Sequence, residues 1–167
     1  MIFCFNAAEV FQVAIEIKEN SRAFYEKAQN MIHDPDVQKL FADLARDELE
    51  HKGGIESLKA GLPPDIKSPT VADPENELDL YVKAMADQHV FRSCGALNVQ
   101  LDQIKDVQDA LRLALQFEKD SLIFFLGMQD ATCEGKDRDL ITLLVKEEQT
   151  HVRRLTLQMQ KMGYCRM

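Results

Sequence analysis

Two stretches of this chain, RDELEH and KEEQTH, each place a histidine three residues after a glutamate: Glu48 with His51, and Glu148 with His151. On an α-helix that spacing sets a carboxylate and an imidazole side by side on one face, where both reach a single ion. A further glutamate, Glu118 in FEKDSLIFF, stands in the same kind of helical pattern. A mixed set of oxygen and nitrogen donors suits iron or manganese and also accommodates zinc. One Glu-x-x-His is a weak signal, since helices are rich in Glu. Two copies at matching places are a strong one.

The elements that must position these residues are helices. Asp34 is an N-cap followed by Pro35 at the first helical position, and Asp73-Pro74 repeats that start signal. Long runs of helical period extend from about Ala7 to Asn30, from Asp34 to Gly61, from Asp73 to Cys94-Gly95, from Asp106 to Asp130 and from Gly135 to Met162. Four of the five prolines crowd into 62–74, which reads as a connection inside a single domain spanning 1–167. No stretch alternates with period two for long enough to make a strand.

Positions in these runs step by three and four along largely apolar series, as in Phe11, Ala14, Lys18, Ser21, Tyr25 and Ala28, or Val37, Phe41, Leu44, Glu48, His51, Ile55 and Leu58. The series Leu111, Ala114, Glu118, Ser121, Phe125, Met128 and Ile141, Leu144, Glu148, His151, Leu155 behave alike. Each is a seam facing a common core, so the expected fold is an all-α four-helix bundle with a long crossover that carries an additional helix. Lys18, Glu48, His51, Glu118, Glu148 and His151 fall where the seam should be apolar. Buried, unpaired carboxylates cost several kcal/mol each, so three of them require cations. The seam also repeats: a shift of 100 residues carries Glu48 to Glu148, His51 to His151, Asp47 to Glu147, Leu44 to Leu144, Ser21 to Ser121 and Tyr25 to Phe125. The chain is two helix pairs of one design.

Composition narrows the function. Of 167 residues, 46% are hydrophobic and 29% charged, which excludes a disordered chain, and the formal net charge of −8 argues against a phosphate-backbone partner such as nucleic acid. The longest apolar stretch, Leu122 to Met128, is too short to cross a bilayer, and Met1 to Phe5 lacks the basic flank of a signal peptide. The expectation is a soluble cytoplasmic protein. Cys4, Cys94, Cys133 and Cys165 lack metal-ligand spacing and read as free thiols.

On RDELEH, KEEQTH and FEKDSLIFF, the chain resembles the rubrerythrin-like branch of the ferritin-like di-iron carboxylate proteins, over roughly Ala7 to Met162. The resemblance implies a ferritin-like bundle, iron as one or two ions, and reduction of peroxide or dioxygen, with Glu48, His51, Glu118, Glu148 and His151 as ligands. It also implies a homodimer. Similarity to bacterioferritins suggests that Asp47 and Glu147 hold the imidazoles of the opposite helix, Asp47 that of His151 and Glu147 that of His51; solvated surface charges are the alternative. Tyr25 is either a hydrogen-bond donor to a ligand carboxylate or plain core. Rubrerythrins proper carry a four-cysteine rubredoxin domain that this sequence lacks, so electrons would come from a separate donor. Where the family places a first-helix Glu this chain has Lys18, and where rubrerythrins carry another Glu after the third-helix ligand it has Ser121. Glu19, at the seam edge, is a candidate substitute ligand.

Lys18 sets the competing reading, a non-catalytic metal-binding or structural bundle with an incomplete site. Three carboxylates and one ammonium leave two negative charges, the match of a single divalent ion, so one tightly bound ion is expected. The long lysine stem could instead carry its charge to the surface or let it deprotonate.

Overall fold

The computed structural model describes residues 7–61, 77, 80, 84, 96–132 and 134–164. Five helices run through them: α1 Ala7–Met31, α2 Pro35–Ala60, α3 Ala96–Leu101, α4 Val107–Ala131 and α5 Lys136–Lys161. No strand occurs among the described residues, and none of their helices is long and apolar enough to cross a membrane. The helix expected from Asp73 to Cys94-Gly95 lies outside the described residues except at Glu77, Leu80 and Ala84, which are helical. The Pro-rich connection and all four cysteines also lie outside them.

Local chemistry sets the helix ends. The Asp34 carboxylate accepts from the Val37 amide at 3.0 Å and Pro35 opens α2, while the Gly61 amide closes it on the carbonyls of Ser57 and Leu58. Asp106 caps α4 in the same way, accepting from Asp109 N at 2.8 Å. Gly135 precedes α5 with φ at 144°, a conformation open to glycine.

Buried side chains separate into two apolar clusters with a polar layer between them. The first holds Phe11, Ala14, Ile17, Ile55, Leu58, Phe124, Phe125, Met128, Ile141 and Leu144. The second holds Phe24, Tyr25, Phe41, Leu44, Ala110, Leu111, Phe117, Leu155 and Met159. Chain order through these clusters gives the topology. Helices α1 and α5 run from the first cluster to the second, whereas α2 and α4 run from the second to the first. Helix α2 therefore ends at the opposite end of the bundle from the start of α4, and the chain between them must return the bundle's whole length. Neither helix pair needs such a return: residues 32–34 join α1 to α2, and residues 132–135 join α4 to α5. Short α3 follows the crossover and packs Leu97 and Leu101 on the second cluster, with Lys27 of α1 reaching Asn98 at 3.2 Å.

Candidate metal centre

Lys18, Ser21, Glu48, Glu118, Ser121, Glu148 and His151 are the buried polar residues of the molecule's described part, and they form the layer between the apolar clusters. Their seam positions carry them there: each of the four long helices contributes apolar residues above and below, so one or two polar residues per helix are trapped at mid-length. His51 joins the same layer, with its side chain 12% exposed.

Glu48 is the hub. Its Oε1 lies 3.3 Å from His151 Nδ1 and 3.9 Å from His51 Nδ1, so the two imidazoles of the repeated motifs turn the same nitrogen toward one carboxylate. The imidazole rings stack, with centroids 5.4 Å apart and planes at 28°. His151 Nδ1 also lies 3.2 Å from Glu118 Oε2, and Glu118 accepts a hydrogen bond from the Tyr25 hydroxyl on its other oxygen. Glu148 Oε1 is 4.0 Å from His51 Nδ1. The five residues expected as ligands are thus brought together, and Tyr25 is a hydrogen-bond donor as well as core.

Lys18 points inward. Its side chain is wholly buried, with Nζ 3.1 Å from Glu48 Oε1, 2.9 Å from Glu48 Oε2, and ion-paired to Glu148 Oε1. Nζ also lies 5.1 Å from the centre of the Phe125 ring, a cation–π contact that further favours the charged head. Neither swinging to the surface nor losing its proton describes this lysine. Burial pulls its pKa down, but Glu148, Glu48 and Glu118 outweigh burial and leave it above the usual lysine value.

The same contest decides the other groups. Burial raises the Glu48 pKa, yet the Lys18 charge and the two imidazoles beside it bring it well below the ordinary carboxylate value. Glu148 goes the other way: burial, with Glu118 and Glu48 adding negative charge, outweighs Lys18 and lifts it well above that value. Burial disfavours a charged His151, but Glu118 and Glu48 reverse this and push its pKa up to about 10. Burial and Glu118 both keep the Tyr25 hydroxyl protonated.

The surroundings are less symmetric than the sequence repeat. Asp47 Oδ2 sits 3.7 Å from His151 Nε2, beyond hydrogen-bond length but facing it, and Arg154 Nη1 holds that oxygen at 2.8 Å. Glu147, its counterpart by the repeat, is exposed, and no bond joins it to His51 among the described residues. The expected Glu147–His51 pair is corrected accordingly. A reason lies in the repeat itself: a shift of 100 carries Arg154 onto Gly54, so the first half has no guanidinium to draw the Glu147 carboxylate in. Arg154 was the residue to find, and its place one turn beyond His151 was the signal. Glu19, the candidate substitute ligand, is also corrected. It is 61% exposed and pairs with Lys52 at 3.2 Å, because its helix position turns it about 100° from Lys18.

These donors fit an ion. Glu48, His51 and His151 each offer one atom, all within 4.8 Å of one another, and so do Glu48, Glu118, Glu148 and His151. Two donors about 2.1 Å from one ion lie at most ~4.2 Å apart, so small side-chain adjustments would close either set. His51 Nδ1 and Glu148 Oε2 are buried with no hydrogen-bond partner, which is the condition of a donor atom awaiting a cation.

No protein-family model matches the chain, and no curated protein does. A crystal structure at 2.30 Å of a Thermotoga maritima protein, assigned as a ferritin-like diiron-carboxylate protein, superposes with a TM-score of 0.70. The match covers 96% of this chain and 97% of that one at 17% identity. The fold is ferritin-like. At that identity the likeness speaks for architecture, and the candidate metal centre rests on the residues just described.

Proposed function

We propose that this chain is a metal-dependent redox protein of rubrerythrin-like type that reduces peroxide or dioxygen in the bundle core. The observation that carries the reading is the convergence of both imidazole Nδ1 atoms on Glu48, with Glu118 and Glu148 beside them and two donor atoms left without hydrogen bonds. Glu48, His51, Glu118, Glu148 and His151 would hold the ion. Iron is the first choice for such donors, with manganese or zinc accommodated by the same set. When bound, a redox-active ion supplies the electron transfer that side chains alone cannot.

The chain's own residues supply the rest. Two apolar clusters shield the layer from water, which strengthens every charge interaction within it. Tyr25 fixes the Glu118 carboxylate through its hydroxyl. The Arg154–Asp47 pair faces the outer nitrogen of His151 and favours its proton there, leaving Nδ1 free to bind. Electrons would come from a separate donor.

Metal analysis of the purified protein, followed by peroxide consumption with and without an added reductant, tests the reading. Iron in the protein and reductant-dependent consumption are expected. Rapid multiple turnover by the isolated protein with a nicotinamide donor alone would refute the separate donor. The buried Lys18 favours a second reading, a non-catalytic metal-binding or structural bundle. Iron loading without any peroxide consumption in the presence of reductant would decide for it.

A further inference from the structure

The charge balance of the sequence leads to one ion in the layer, and the position of Lys18 bears on how that comes about. The sequence repeat pairs position 18 with Glu118, so the second half presents a carboxylate where the first presents an ammonium. That ammonium contacts both oxygens of Glu48, at 3.1 and 2.9 Å, and is ion-paired to Glu148. It occupies the space between the two motif carboxylates, which come from the two halves of the repeat. Its side chain is wholly enclosed, with the Phe125 face beside the charge.

We propose that Lys18 is a tethered cation that takes the place of a second metal ion, so that the layer binds one divalent ion and closes without any. This rests on the metal reading above. Three observations carry it. A second ion between Glu48 and Glu148 would have to displace a buried charge that is already paired to both carboxylates. An ion added beside that charge would face strong repulsion in an environment of low polarity. On the other flank, Glu118 Oε2 and Glu48 Oε1 lie 3.2 and 3.3 Å from His151 Nδ1, with His51 Nδ1 3.9 Å from Glu48 Oε1, so one ion retains a donor set that Lys18 does not touch except through Glu48. The tethered charge also joins α1 to α2 and α5, as a bridging ion would, and so holds three helices together in the absence of metal.

Equilibrium dialysis of the full chain against Mn(II), and separately Zn(II), counts the ions. One per chain is expected for the unmodified protein and two for Lys18→Glu, while Lys18→Met should stay at one. In excess chelator the unmodified protein should keep a cooperative thermal transition. Two ions in the unmodified protein at stoichiometric loading would overturn the inference and leave the metal reading standing. Loss of helical structure on chelation would also overturn it. No ion in either the unmodified protein or Lys18→Glu would overturn the metal reading itself. The count on the unmodified protein needs no variant to fold, so the test survives a Lys18→Glu that does not.

Discussion

Lys18→Met removes the ammonium while keeping a side chain of similar length in the core, and its effect can be worked from the distances. At ~3 Å and an effective dielectric of roughly 20, each ammonium–carboxylate contact attracts by about 5–6 kcal/mol before the cost of burying both charges is subtracted. Lys18 makes such contacts with Glu48 and Glu148. Taking one partner from a buried ion pair costs about 3–5 kcal/mol net, because the survivors stay buried without compensation. For a domain of this size each kcal/mol moves the melting temperature by roughly 2–4 °C, so metal-free Lys18→Met should melt some ~6–20 °C below the parent. Glu148 tempers the loss, since its raised pKa lets it take up a proton and become neutral. The deficit should therefore be smaller near pH 6 than near pH 8. Thermal unfolding followed by circular dichroism in excess chelator gives the number, and repeating it in excess Mn(II) should recover much of the difference by mass action. A metal-free variant melting within about 2 °C of the parent at pH 8 would refute the reasoning.

Asp47→Asn should weaken metal binding by roughly 10–100-fold, as expected when the partner of a ligating histidine is lost; competition with a chromophoric chelator measures it, and unchanged affinity would show that Asp47 serves Arg154 alone. In the metal-free protein His151 titrates at about 10 against an ordinary 6.5, so its charged form adds stability that is complete below pH 6.5 and disappears as the pH rises through 10. The urea midpoint of the chelated parent should accordingly fall between pH 7 and 10.5 more steeply than that of His151→Gln, and parallel curves would refute the assignment. Asp34→Ala removes the cap on Val37 N, should cost about 1 kcal/mol by urea unfolding, and should leave metal affinity unchanged.

The layer's address was legible because seam periodicity and the repeat both act along a single helix. Glu48, His51, Glu118, Glu148 and His151 were placed by spacing alone, and the structure puts all five at mid-bundle. The cap at Asp34 was legible for the same reason, as it is decided within four residues. Side-chain direction was not. Lys18 had three courses open to it, and its inward turn is settled by Glu48 and Glu148, 30 and 130 residues away. Glu19 leaves the seam for Lys52, 33 residues on, and Asp47 meets Arg154 across 107. Long flexible side chains settle into whichever charge the tertiary fold brings near, and one-dimensional spacing holds no record of that.

The glycines that stand where the other half of the repeat has arginines have a consequence for traffic. Gly53 and Gly54 lie within a turn of His51, and a methyl group built on either meets nothing within 4 Å. His51 is 12% exposed, whereas the His151 side chain, shielded beside Arg154 and Asp47, is 1% exposed. Among the described residues the polar layer is thus a chamber with one thin wall. His51 is the candidate ligand that stands nearest to solvent there, and a methyl group added at Gly54 would add cover on its side of α2 without meeting a charged group.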